Sequence, residues 1–265
     1  LKSGSMPLCS CSPTEDVVSQ DVIPYTVDQV VGNIQDPTEA AILIFNFVKD
    51  KILFGFSTSY DKADPCEVLR DGIGNSISKT RLFIEMLNEV GIESKFHFIT
   101  IKRDLLYGTL FPSWGKPSQD FSYHAFAEVK LNGRWISLDG YTLDSTLIQN
   151  AKKLLRKSKM KAGFCTTVLS KSDWDGTSPC MAQYTDIYGS DEVKLCAQDH
   201  GLFKTAEEFF GSKIYKKQSF DFHFPFLYRR LIAPRMNTDL YEIRRYHRTS
   251  LATPIPVGRG PWETD

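Results

Sequence analysis

Apolar and polar residues alternate along this chain with two different periods. At helical spacing, Ala41, Ile44, Phe45, Val48 and Ile52 line one side of a segment over 40–51. Asp36-Pro37-Thr38-Glu39 precedes it and supplies an N-cap, a first-turn proline and a carboxylate in capping-box position. A second stripe of Phe83, Met86, Leu87 and Val90 predicts a helix over 77–90 that stops at Gly91. The period then changes to two. Phe96, Phe98 and Thr100 alternate with His97, Ile99 and Ile101, as in a strand. A loop rich in Pro, Gly and Trp (107–121) leads to a predicted strand over 123–131, an Asn132-Gly133 turn and a return strand over 134–139.

Helix, helix and antiparallel strands in that order predict an α+β fold with a helix packed on an antiparallel sheet. Beyond Tyr141 the pattern weakens to candidate helices over 146–159 and 205–210, followed by aromatic and basic stretches at 220–230 and 241–248. Phe220, Phe222, Phe224 and Phe226 alternate there, as in a core strand or the wall of a small apolar pocket. Residues 1–5 read as a cloning scar before Met6. The expected organisation is a core over 6–146 and a C-terminal extension, 147–265, packed on it.

With 265 residues, the chain can bury one large core. Its 32 basic and 32 acidic side chains balance, which argues against a field that would attract nucleic acid or an anionic membrane surface. No apolar run reaches the roughly 20 residues that span a bilayer. Without a signal peptide, the six cysteines are expected to be reduced thiols in the cytoplasm. Cys9-x-Cys11 has no second pair at ligand spacing, so no metal is expected there.

The hairpin makes a geometric prediction about chemistry. A two-residue turn at Asn132-Gly133 sets Leu131 opposite Arg134 and Phe126 opposite Asp139. His124 then shares a face with Asp139 as its diagonal neighbour, about 7–8 Å away along the backbone, within reach of a His–Asp hydrogen bond. An imidazole held by a carboxylate is a general base of fixed tautomer. Leu69-Arg70-Asp71-Gly72-Ile73-Gly74-Asn75-Ser76 places Ser76 after a glycine turn, at the start of the second helix. There the helix dipole and free N–H groups favour a nucleophile and an oxyanion.

Residues 36–141, about 40% of the chain, resemble the core of the transglutaminase-like superfamily, which is related to papain-type proteases. Gly72-x-Gly74-Asn75-Ser76, Tyr123-His124-Ala125-Phe126 and Trp135-Ile136-Ser137-Leu138-Asp139 carry the resemblance. It implies a papain-like fold and a Cys–His–Asp triad mapping onto Ser76, His124 and Asp139. It also implies a thioester acyl-enzyme formed on a peptide, protein or small amide or acyl substrate, with hydrolysis or transfer to an amine. Tyr60 is a candidate for the upstream group that assists the oxyanion in that family, and Asn75 and Trp114 are candidates for substrate contact. The animal transglutaminases of the family add β-sandwich domains and bind calcium; this chain has no room for such domains and no EF-hand-like loop, so no metal or other cofactor is expected.

One departure stands out, because Ser76 occupies the cysteine position. A deliberate Cys-to-Ser inactivation, a natural pseudoenzyme that binds peptide-like molecules in the old cleft, and a natural serine variant would each explain it. A biosynthetic enzyme acting on a small amide is a further possibility. Gly74-Asn75-Ser76-Ile77-Ser78 also partly matches a nucleophile elbow of the α/β-hydrolase kind, with Asp139 and His200 in the required order, but the final glycine and a preceding strand are missing.

Overall fold

The computed structural model describes residues 22–108, 121–183, 196–218, 226 and 228–246. Helix α1 (Val22–Val31) leads into α2 (Pro37–Lys51), which Asp36 caps by accepting from the Glu39 N–H. A short strand β1 (Leu53–Phe54) pairs in parallel with β2 (Ile73–Gly74), and between them lie a 3-10 turn at Tyr60–Lys62 and helix α3 (Pro65–Asp71). Helix α4 (Ser76–Glu89) follows at once. Strands β3 (Ser94–Lys102), β4 (Phe121–Leu131) and β5 (Arg134–Leu138) then form an antiparallel meander.

The alternation of β4 divides the interior. Ala125, Ala127 and Val129 face a core made with Ile44, Phe45, Leu82, Phe83 and Leu87 from α2 and α4. The small alanines let α4 lie close to the sheet. Phe126 turns the other way, into a smaller cluster with Ile99, Ile101, Leu105, Ala162 and Met181. The register pairs Leu131 with Arg134 and Ala127 with Leu138, as the Asn132-Gly133 turn requires. This is the expected α+β arrangement, with helix α4 packed on an antiparallel sheet.

After residue 141 the described residues form more helices and strands than the sequence pattern predicts. Helix α5 (Ser145–Lys157) is capped by Asp144 and followed by a hairpin of β6 (Ala162–Gly163) and β7 (Thr166–Thr167). Strand β8 (Cys196–Phe203) pairs antiparallel with β3 and completes the sheet order β5-β4-β3-β8. Helices α6 (Ala206–Gly211) and α7 (Lys213–Gln218) come next. A π-helical turn at Tyr228–Ile232 opens α8 (Ala233–Arg245), which packs against α5 around Leu147, Ala151, Met236 and Leu240. Arg244 of α8 grips Asp144 through Nε (3.1 Å to each carboxylate oxygen) and a second nitrogen, and also donates to the Phe54 carbonyl (2.6 Å). Phe220, Phe222 and Phe224 lie outside the described residues, and Phe226 is exposed. Among the described residues no helix is long and apolar enough to cross a membrane.

Candidate active site

The approach to Ser76 is built from turn chemistry. Helix α3 ends on Gly72, whose φ of +64° is left-handed and costs glycine little. Two residues on, Gly74 leaves no room for a side chain, since a Cβ there would lie 2.8 Å from Ser78 Oγ and 2.9 Å from Lys79 Cγ. Asn75 then caps α4 in a reciprocal box with Ser78. Its side-chain oxygen accepts from the Ser78 N–H and its own N–H donates to Ser78 Oγ, both at 3.0 Å. The Asn75 amide nitrogen donates in turn to Asp61, a buried carboxylate, at 2.7 Å. Ser76 is thus the first residue of α4, 8% exposed, behind a cap whose polar atoms are engaged.

His124 and Asp139 meet as the hairpin register demands. His124 Nε2 lies 3.0 Å from Asp139 Oδ2, with the two residues 1% and 0% exposed. The Nδ1 atom of His124 has no hydrogen-bond partner among the described residues, and no hydrogen bond joins Ser76 to His124. What links the two elements is Thr80, one turn along α4 from Ser76. Its hydroxyl donates to the carbonyl of Ala125 (3.1 Å), the residue after His124, and lies 2.8 Å from the Tyr141 hydroxyl.

Asp139 has partners that no local pattern announces. Its Oδ1 accepts from the Ala182 N–H, and the Gln183 N–H donates to Oδ2 at 3.1 Å. The same segment runs along the end of β5: Cys180 donates to the Ser137 carbonyl (3.1 Å), and its own carbonyl accepts from the N–H groups of Asp139 (3.0 Å) and Gly140 (2.9 Å). Gly140 makes the approach possible, because a Cβ there would sit 2.5 Å from Cys180 Sγ. Burial, with the Asp139 charge adding to it, pushes the Cys180 thiol up to about 12, so this neighbour stays protonated. The main-chain N–H groups of Ala182 and Gln183 and the His124 ring all engage the carboxylate.

The remaining candidates are placed as follows. Tyr60, in a left-handed conformation (φ +53°), packs between the rings of Phe56 and Tyr228. Asn75 is committed to the α4 cap. Trp114, like Cys9 and Cys11, lies outside the described residues. His200 bonds Thr100 through Nε2 (2.6 Å) on the far side of β3 from β4. Tyr123, adjacent to His124, hydrogen-bonds the Ile214 carbonyl; burial and the Asp61 carboxylate push its phenol up to about 12. Among the described residues no group of three His, Cys, Asp or Glu side chains could hold a metal ion.

One buried charge sits within a turn of Ser76. Lys79 is 0% exposed, and its ammonium group caps α2 by donating to the carbonyls of Ile52 (2.5 Å) and Lys49 (3.4 Å). Burial drives its pKa from 10.5 to about 7, against the pull of Asp144. Nothing in the sequence marks it out from the other lysines.

Comparison with known proteins bears on this geometry. Residues 24–140 match the family model of the transglutaminase-like superfamily. Among similar solved structures are two at 16% identity each. One, described as a "putative protease" from Parabacteroides distasonis, aligns with a TM-score of 0.34 over 46% of this chain and 24% of its own. The other, a "putative cysteine protease" from Cytophaga hutchinsonii, gives 0.35 over 47% and 38%. The alignment therefore spans well under half the length of either protein. Comparison with curated proteins returns no match. The likeness to the transglutaminase-like superfamily thus lies in residues 24–140, a little under half of the chain.

Proposed function

We propose that the chain carries the acyl-transfer site of a thiol enzyme, with position 76 as nucleophile, His124 as base and Asp139 as the group that orients His124. The observation that carries this reading is the buried His124–Asp139 pair, 3.0 Å apart, with His124 on the strand to which the helix starting at residue 76 is hydrogen-bonded.

With a cysteine at position 76, the free Nδ1 of His124 takes the thiol proton and the sulfur attacks the carbonyl carbon of an amide. The carbonyl π pair moves to oxygen, where the N–H of residue 76 at the helix start stabilises it. Collapse of the tetrahedral species breaks the C–N bond, and His124 returns the proton to the departing amine. The resulting thioester is cleaved by water or by a second amine, giving hydrolysis or transfer. Serine keeps the place without the acidity, since a hydroxyl is a much weaker acid than a thiol. The chain as it stands is the inactive form of such an enzyme.

Haloacetamide labelling of a Ser76→Cys variant over pH 5 to 9, with and without His124→Ala, tests the reading. Fast labelling at low pH that is lost with His124 supports it. A thiol that titrates near about 8.5, with or without His124, removes it. In that case the second reading stands, a non-catalytic cleft for a peptide-like ligand. Ser76 itself and its lack of a hydrogen bond to His124 favour that alternative.

A further inference from the structure

The family match ends at residue 140, yet the hydrogen bonds that fix Asp139 come from residues 182 and 183. Gln183 is the more informative of the two, being 2% exposed and used at both ends. Its N–H meets Asp139 Oδ2 at 3.1 Å, on the oxygen that faces His124. Its side-chain nitrogen donates to the Cys165 carbonyl at 3.1 Å.

That carbonyl belongs to an unusual turn. Phe164 and Cys165, between β6 and β7, both have positive φ (+50° and +64°), where Asn or Gly would normally be found. The turn is buried, and main-chain bonds from Phe164 to the Tyr107 carbonyl (2.7 Å) and from Cys165 to the Leu105 carbonyl (2.8 Å) hold it in place. Strained turns persist when their surroundings over-determine them, and they concentrate at functional sites. The Gln183 amide oxygen is also buried without a hydrogen-bond partner. Leucine or methionine would fill the same space without leaving an acceptor unpaired.

We propose that Gln183 is a positioning residue of the triad, tying the carboxylate of Asp139 to the anchored Phe164–Cys165 turn so that His124 is held in one orientation. Strand β5 ends at Leu138, so Asp139 lies just past the sheet ladder. The turn at 164–165 supplies the fixed point, and Gln183 transmits it. This inference rests on the triad reading above.

The test uses the full chain with Ser76→Cys as parent. Gln183→Ala and the near-isosteric Gln183→Met are added to it singly, and Thr205→Ala serves as a control that removes a distant helix cap. The haloacetamide rate is followed from pH 5 to 9. Loss of an outer-shell partner elsewhere costs about ten- to a hundredfold, so a slowing of that order at pH 6 is expected for both Gln183 variants. Their apparent thiol pKa should move up towards the free value, and Thr205→Ala should leave the profile unchanged. If a folded Gln183 variant keeps the parent profile while His124→Ala abolishes it, Gln183 has no positioning role and the triad reading survives. If the parent thiol is already ordinary, the triad reading fails and takes this inference with it. Equal slowing in Thr205→Ala shows a general loss of stability and overturns the proposal.

Discussion

Thr80 on α4 hydrogen-bonds the main-chain oxygen of Ala125 on β4, so the helix that begins at Ser76 and the strand that bears His124 are joined by a side chain one turn and one residue away from them. The Tyr141 hydroxyl, 2.8 Å from the Thr80 hydroxyl, extends the contact to the segment just after Asp139. Replacing Thr80 with valine preserves shape and deletes the hydroxyl, leaving the Tyr141 hydroxyl and the Ala125 carbonyl in a fully buried setting. A loss of about 1–3 kcal/mol in chemical denaturation is expected. In a Ser76→Cys background, labelling at low pH should fall as well, because the helix start is no longer fixed against the strand.

The Asp144–Arg244 pair predicts a larger effect. Asp144 caps α5 and accepts from the Phe54 N–H (3.2 Å), while the guanidinium brings the last turn of α8 onto the same carboxylate. Burial would raise the Asp144 carboxyl, but the bond to Arg244 and its charge outweigh burial and hold it below the ordinary value. Arg244→Met strands a buried carboxylate and should cost about 3–5 kcal/mol. Adding Asp144→Asn should recover part of that loss in a double-mutant cycle read by urea denaturation.

Lys79 sets a pH dependence whose sign follows from proton counting. The unfolded lysine holds its proton up to about 10.5, whereas the folded one releases it near about 7. Between those values the unfolded chain binds more protons, so this residue makes stability rise with pH. The difference in unfolding free energy between the parent and Lys79→Met should therefore grow in the parent's favour from pH 7 to 8.5. A difference that stays flat over that range would contradict the depressed pKa.

His97 acts in the opposite direction. Its Nδ1 lies 3.2 Å from Glu128 and its Nε2 lies 2.8 Å from Asp199, so it bridges β4 and β8 across β3. Burial alone would lower its pKa, but hydrogen bonds and charge from the two carboxylates raise it above 6.5. The clamp is thus complete below pH 6.5 and weakens as pH rises through the folded value. Hydrogen exchange in 196–203 should accelerate between pH 6 and 8 beyond the intrinsic base-catalysed increase, and His97→Gln should abolish that excess.

The sequence was most readable where chemistry is local. Asn132-Gly133 fixed the hairpin register, and with it the meeting of His124 and Asp139. Asp36-Pro37 and Gly91 marked the helix ends within a residue or two. Ile23, Val27 and Val31 carry a helical stripe that could have revealed α1, but ten residues make a short signal. Helix α8 was hidden by arginines and by a proline in its first turn. Strand β8 could not be read at all: Asp199, His200 and Gly201 break the apolar alternation, and its pairing with β3 includes two register shifts. The main-chain donors to Asp139 from Ala182 and Gln183 are 43 and 44 residues away in the chain, and they use N–H groups that every residue type but proline possesses.

The strand order also bears on how the molecule is made. Strand β3 is complete at residue 102, but the strand that covers its outer edge begins at residue 196. At ribosomal rates of about 5–20 residues per second, β3 emerges several seconds before β8 and stands for that time as an open, apolar sheet edge. Such an edge invites pairing with other chains, and distant pairings of this kind form late. The nascent chain is therefore most exposed to aggregation, and most in need of a chaperone, while residues 103–195 are being added.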